Sequence, residues 1–231
     1  MKILSYNIQA AINSSGYLSY LWQWPRQILP TAAKRTNLRR IASFLRDYEV
    51  VCLQEIELGG LRNGFASQLL QLQELSDFPE AVWQLNRRVG RLSAHGNVIL
   101  ARQPLQKRVD VPLPGKIRGR GLLAAQLGDR VIATTHLSLG RADQLRQLAF
   151  IRATLQPWPA VLLCGDFNCG PQRLAPLTDG GWQLLGTGQA SFPSWKPRRC
   201  LDHALLRGGT ATAEVLTFRA SDHLPLAIGW E

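Results

Sequence analysis

The sequence predicts an α/β chain of two packed sheets with helices outside them. Three observations predict it. Short apolar runs recur along the whole chain. Several follow one another with no helix between, as at 96–102, 121–127 and 131–137, whereas a doubly wound parallel sheet needs a crossover at each step. Two segments carry apolar residues at helical spacing instead.

The elements follow in order. "KILSYN" (2–7) opens as a strand. "TNLRRIASFLRDYE" (36–49) places Leu38, Ile41, Leu45 and Tyr48 at helical spacing, with Thr36 or Asn37 as the cap. "VVCLQE" (50–55) is the next strand, then "GNVILAR" (96–102), "GLLAAQL" (121–127) and "VIATTHL" (131–137). "RADQLRQLAFIRATLQ" (141–156) is an amphipathic helix with Leu145, Leu148, Ile151 and Leu155 on one face. "AVLLCGD" (160–166), "LDHALL" (201–206), "AEVLTF" (213–218) and "LPLAIGW" (224–230) complete the strands; the last alternates Leu224, Leu226, Ile228 and Trp230. Residues 10–35, with two Trp and two Tyr, and 103–119, with three prolines and four basic residues, show no period and are expected to be loops.

At 231 residues and 45% hydrophobic, the chain can bury one core, so a single domain over 1–231 is expected, as a monomer. The formal charge of +11 favours a polyanionic partner: nucleic acid (DNA or RNA), an anionic membrane surface or a phosphorylated metabolite. Cysteines stand at 52, 164, 169 and 200 with no C-x-x-C, which argues against a structural zinc site. Cys52 and Cys164 lie in apolar runs and are expected in the core of a reduced, cytoplasmic protein. Asn7 and Gln9 interrupt any leader-peptide core, and no apolar run approaches the ~20 residues of a membrane span.

The chemistry is concentrated at strand ends. In "VLLCGDFNCGP" (161–171) an apolar run stops on Asp166 and Asn168. Alternation sends those two one way and Phe167 the other, back into the core. The pattern recurs: the first strand ends at Asn7, the 50–55 strand at Glu55 and the 131–137 strand carries His136. The 201–206 strand starts with Asp202, and Asp222-His223 precede the last strand. One such residue is a turn; six interruptions of otherwise burial-suited runs form a constellation. Its carboxylates repel one another unless a cation intervenes, and Glu55 with Asp222 and Asn7 is a sensible oxygen cage for Mg²⁺ or Mn²⁺.

The ordered set "SYNI", "LQE", "THL", "GDFN", "LDH" and "SDHLP" resembles the endonuclease/exonuclease/phosphatase family, in its small bacterial form. This is the phosphoesterase fold of DNase I, the exonuclease III-type nucleases, neutral sphingomyelinases and inositol polyphosphate 5-phosphatases. The resemblance runs from Asn7 to His223. It implies a four-layer α/β sandwich (DNase I-like), two mainly antiparallel sheets flanked by helices, with one site between the sheets. It implies that Asn7, Glu55 and Asp222 hold a metal, Mg²⁺ or Mn²⁺. It implies catalytic roles for His136, Asp166, Asn168, Asp202 and His223, with Asp166 directing the attacking water and Asp202 orienting His223. Asn168 and His223 would touch the substrate phosphate. His203, beside Asp202, would face the opposite side of a regular strand and is read as structural. "IQAA" after Asn7 lacks the further acid of the repair nucleases, which weakens a second-metal proposal.

Arg120, in "RGRGLL" (118–123), is assigned to the substrate phosphate on its own residues: a guanidinium on a glycine-permissive loop suits a phosphate. The charge favours nucleic acid as substrate. A phospholipid or phosphorylated metabolite is the alternative, with Tyr17, Tyr20, Trp22 and Trp24 as an interfacial loop. A silent nucleic-acid-binding protein is the second alternative, and it predicts a decayed ligand set.

Overall fold

Twelve strands are described in the computed structural model, which covers residues 1–12, 31–186 and 188–231. In chain order they are β1 (Lys2–Asn7), β2 (Val50–Glu57), β3 (Glu80–Val89), β4 (Ser93–Ala101), β5 (Gln106–Pro112) and β6 (Gly121–Leu127). Then come β7 (Arg130–His136), β8 (Val161–Asp166), β9 (Gln183–Leu185), β10 (Asp202–Arg207), β11 (Ala211–Val215) and β12 (Leu226–Trp230). The helices are α1 (Ala32–Leu45), α2 (Gln68–Ser76), α3 (Arg141–Leu155) and the short α4 (Ala175–Thr178). One sheet runs β11-β12-β1-β2-β4-β3 and the other β5-β6-β7-β8-β10-β9. Only the β1–β2 and β7–β8 pairs are parallel; the other pairings are antiparallel. The predicted pair of sheets, mainly antiparallel and flanked by helices, is what forms.

Strand alternation sorts the core into three layers. Ile3, Cys52, Ile99, Leu123, Leu162, Cys164 and Ile228 face the other sheet. Leu4, Tyr6, Val51 and Leu53 turn outward onto Leu38 and Ile41 of α1 and Leu72 of α2. On the second sheet Leu163, Phe167 and Leu205 turn outward onto Leu148 and Ile151 of α3. Each layer buries apolar area against apolar area, which is where packing stabilises most. All four cysteines are free thiols, and Cys52 and Cys164 are core residues as expected. No described helix is long and apolar enough to cross a membrane.

Four local expectations change. The first helix starts four residues before Thr36: Thr31 caps it, its hydroxyl accepting from the Lys34 amide, while Thr36 and Asn37 lie inside. Tyr48 falls beyond its end and is half-buried. On α3 Leu145 is exposed, and Gln144 and Gln147 are buried in its place. Their amides hold the chain ends around the site, Gln144 on the Ser138 and Asn168 carbonyls and Gln147 on the Pro114 carbonyl and Ser138 hydroxyl. Residues 103–119 are not all loop: Gln106–Pro112 forms edge strand β5. Residues 13–30, with Tyr17, Tyr20, Trp22 and Trp24, lie outside the described residues.

Candidate active site

The site is the end of the layer between the sheets, where apolar side chains give way to polar ones. On β8, Asp166 shares the inward face of Leu162 and Cys164. On β10, Asp202 shares the inward face of Ala204 and Leu206. Registers align the row: His136 of β7 and Asp202 of β10 are both the direct neighbours of Asp166. On the facing sheet, Asn7 ends β1 on the same face as Ile3. A buried polar seam separates core from site, in which the Gln54 amide donates to Thr134 Oγ1 at 2.9 Å and Ser5 Oγ at 3.3 Å.

Glu55 reaches the site through a distortion. The sequence places it at the end of its strand, but β2 continues to Glu57. The register against β4 slips between Leu53 and Ile56, a β-bulge, and Glu55 sits at φ 56°. A bulge re-aims a side chain that regular alternation would send to the helix side. The left-handed conformation costs a non-glycine residue about 1 kcal/mol or more, and such strain collects at functional sites. Asn168 is also left-handed, at φ 53°. Its amide N–H donates to Asp166 Oδ1 at 2.9 Å and its side chain to the Leu137 carbonyl at 2.9 Å. Gly165, between the inward Cys164 and Asp166, lies so close to β7 that a Cβ would fall 2.0 Å from the Thr135 carbonyl.

Asp166 Oδ2 is the hub. Asn7 Nδ2 donates to it at 3.1 Å, and it lies 3.3 Å from His136 Nε2 and 3.7 Å from His223 Nε2. Glu55 Oε1 lies 3.5 Å from Asn7 Nδ2 and 3.7 Å from His136 Nδ1. His223 Nδ1 meets Asp202 Oδ2 at 2.8 Å, and that oxygen also accepts from Ser191 Oγ at 2.5 Å. The 220–224 loop carrying Asp222 and His223 is tied down from two sides. Ser194 donates through its amide to the Asp222 carbonyl and through its hydroxyl to the Ser221 carbonyl, and Asn37 donates to the Ala220 carbonyl.

Burial sets the charges. It pushes Asp166 up to about 7, with Asp202 and Glu55 adding to it and His223 opposing. It pushes Asp222 up to about 6, Glu55 adding and His223 opposing. Burial, with Arg120, His223 and His95 nearby, holds His136 well below the usual imidazole value, so it is neutral. For His223 burial works against the cation but is outweighed by Asp202, Asp166 and Asp222, which raise it well above that value. The site therefore pairs a neutral imidazole with an imidazolium.

Of the sequence-predicted residues, Asn7, Glu55, His136, Asp166, Asp202 and His223 meet through these contacts, whereas the Asn168 side chain is spent on the Leu137 carbonyl and Asp222 Oδ1 accepts from Ser221 Oγ. His203 takes the other side, as alternation requires: its Nε2 meets the Cys169 carbonyl at 2.8 Å and its ring packs edge-on to Phe167. Arg120 lines a cleft together with Glu55 and His136. Ser191 stands in the "SFP" segment ahead of the "LDH" strand, which resembles the family's substrate-side segment, but its bond to Asp202 is not legible in the chain. Arg87, also on the cleft, lies in β3, which has no clear pattern to betray it.

The carboxylate oxygens of Glu55 and Asp166 that meet at Asn7 suit a hard divalent cation; Asn7 presents its Nδ2 to them, and its Oδ1 accepts from the Gln9 amide, so its oxygen serves as a ligand only with the side-chain amide turned over. Donor atoms of Asp166, Asp202 and His223 also lie within 4.8 Å of one another. That triad is a poorer cage, because Asp202 Oδ2 and His223 Nδ1 already satisfy each other.

The family model for the endonuclease/exonuclease/phosphatase family matches residues 4–223. An endonuclease/exonuclease/phosphatase of Beutenbergia cavernae is similar, with 22% identity and a TM-score of 0.76 over 98% of this chain and 70% of that one. The mannosyl-6-phosphatase Bt3783 of Bacteroides thetaiotaomicron has 15% identity and a TM-score of 0.69 over 100% and 99%. ANGEL2, a 2′,3′-cyclic phosphatase, has 14% and 0.67 over 99% and 94%. No curated protein matches the sequence. At these identities the structural likeness shows the fold.

Proposed function

The chain belongs to the endonuclease/exonuclease/phosphatase family, a family of phosphoesterases, and from that premise we propose that it is a divalent-metal-dependent hydrolase of phosphodiester bonds, with nucleic acid as substrate. The observation that carries the reading is the convergence of Asn7, His136 and His223 on one oxygen of Asp166, with Glu55 on the other side of Asn7 and His136. The net charge of +11 supports a polyanionic substrate.

Asn7, Glu55 and Asp222 would hold Mg²⁺ or Mn²⁺, which supplies charge stabilisation at the scissile phosphate. Asp166, held through Oδ2 by Asn7 and His136, orients the attacking water and accepts its proton. His223, an imidazolium held by Asp202, donates to a phosphate oxygen as negative charge builds up. Neutral His136 fixes Asp166 from the β7 side. Arg120 and Asn168 hold the substrate phosphate. The full complement of these residues argues against a silent binding protein.

The test is hydrolysis of bis-p-nitrophenyl phosphate with Mg²⁺ or Mn²⁺, then a panel of single- and double-stranded DNA, RNA, phospholipid vesicles and inositol phosphates. The expected result is turnover that disappears on chelation and a preference for nucleic acid. Turnover untouched by thorough chelation would refute the metal role, and activity confined to vesicles or inositol phosphates would refute the substrate.

A further inference from the structure

Beside the reacting centre lies a cleft of about 170 Å³. Its walls are Arg87 of β3 and the 117–120 loop, which carries Arg118 and Arg120, and Asn97 of β4 lines it as well. Glycine brings the two walls together. Gly119, at φ 99°, packs so closely on Arg87 that a Cβ would fall 2.9 Å from the Arg87 Cβ. At Gly121 a Cβ would fall 2.1 Å from Gln84 Oε1. The spacing that lets Arg87 face the loop thus depends on side chains that are absent.

Three guanidiniums, of Arg87, Arg118 and Arg120, line the cleft beside one carboxylate, Glu55. Arg120 is half-buried and feels Glu55 and Asp166 on one side and the repulsion of Arg87 on the other. Among the described residues, none of the Arg87, Arg118 and Arg120 guanidiniums makes an ion pair or a side-chain hydrogen bond. Asn97 is wholly buried; its Nδ2 is used on the Gly121 carbonyl, and its Oδ1 has no partner among the described residues. Arg87 and Arg118 are exposed, so their guanidiniums are free to take an anion entering the cleft through charge-assisted, bidentate bonds.

We propose that Arg87 and Arg118 bind a second phosphate of the substrate, next to the reacting phosphate that Arg120 holds. The inference rests on the phosphoesterase reading and deepens it: the preferred substrates carry two phosphate groups a short distance apart. The second group comes either from a terminal monoester or from the neighbouring diester of a longer strand.

The experiment has a binding arm and a kinetic arm. Calorimetry compares thymidine monophosphate with thymidine bisphosphate on the wild-type protein and on Arg87→Ala and Arg87→Lys. The wild type should bind the bisphosphate about ten-fold or more tightly, as a charge-assisted contact implies. Arg87→Ala should lose that ratio, and Arg87→Lys should keep part of it. Kinetics compare KM for TpT, pTpT and TpTpT within each variant. A gain for pTpT alone identifies a terminal phosphate, and a gain for TpTpT identifies a backbone phosphate. Equal affinity of the wild type for the mono- and bisphosphate overturns the proposal, as does an undiminished ratio in Arg87→Ala. Absence of metal-dependent turnover on all substrates would instead overturn the phosphoesterase reading, and the binding ratio would then decide the role of the cleft by itself.

Discussion

The Nδ1 of His223 lies 2.8 Å from Oδ2 of Asp202, and the same oxygen takes the hydroxyl hydrogen bond of Ser191 at 2.5 Å. Asp202 thereby holds the His223 ring and favours its cation. Asp202→Asn removes that charge, so the His223 pKa falls and the alkaline limb of the pH–rate profile moves to lower pH. The expected loss in kcat is ~10²-fold or more. His223→Ala and His136→Ala should each lower kcat by ~10²–10⁴ without abolishing metal binding. A pH–rate profile unmoved in Asp202→Asn would refute the dyad.

Asp166 and Asp222 predict a stability cost. Their folded-state pKa values, about 7 and about 6, exceed the ordinary 3.8. The folded protein therefore keeps these protons longer than the unfolded chain does. Their contribution is complete below about pH 4 and is lost as pH rises through about 6 to 7. These two groups should therefore lower the melting temperature of metal-free protein between pH 5 and pH 8. Asp166→Asn should raise the melting temperature at pH 8 by several degrees while abolishing turnover. Calorimetry of the chelated proteins decides this; an Asp166→Asn variant that melts lower at pH 8 contradicts it.

Glu55 is expected to trade backbone strain for charge. Glu55→Gln keeps the shape, so the fold should persist while Mg²⁺ affinity falls. Glu55→Gly should relieve the left-handed φ by about 1 kcal/mol and also lose metal binding. Titration calorimetry with Mg²⁺, alongside urea unfolding, separates the two effects. Normal Mg²⁺ affinity in Glu55→Gln would remove Glu55 from the ligand set.

His203 provides the control on strand face. His203→Ala breaks the bond to the Cys169 carbonyl and the contact with Phe167. It should cost about 1–3 kcal/mol of stability, with kcat reduced far less than in His223→Ala. Equal damage to kcat at unchanged stability would place both histidines in the chemistry.

Nucleic-acid binding should weaken steeply with salt, because each neutralised phosphate releases a counter-ion. Arg198 and Arg199 are exposed on the segment ahead of β10. Replacing both with Ala should lower the salt slope by about one unit per lost contact. The Trp22/Trp24 double variant should leave that slope alone. A flat salt dependence, with vesicle activity that collapses in the Trp variant, would favour a lipid substrate.

Much of this site is legible in the chain because alternation is a local property. Asp166 next to Phe167, and Asp202 next to His203, can be assigned to opposite faces from the pleat alone, and the structure places them so. The polar ends of β1, β7, β8 and β10 announce themselves by interrupting runs that otherwise suit burial. The alternation of Leu226, Ile228 and Trp230 likewise places β12's inner face.

Other features depend on partners distant in sequence. The β7–β8–β10 register puts His136, Asp166 and Asp202 in one row, and register is set by packing rather than by any strand's own pattern. Glu55 enters the site through a bulge against β4, which no spacing in "LQEIE" reveals. Edge strands β3 and β5 escape notice because their exposed residues blur the two-residue period. Leucine marks an apolar face, which makes Leu145 look like core, yet the buried face of α3 needs the Gln144 and Gln147 amides to satisfy backbone carbonyls at the site's margin. The sequence by itself determined which polar side chains interrupt the strand ends and, where a strand is regular, the face each takes, because both are local. Only the tertiary structure decided their distances and charges, because hydrogen-bond partners, neighbouring charges and desolvation come from elements far apart along the chain.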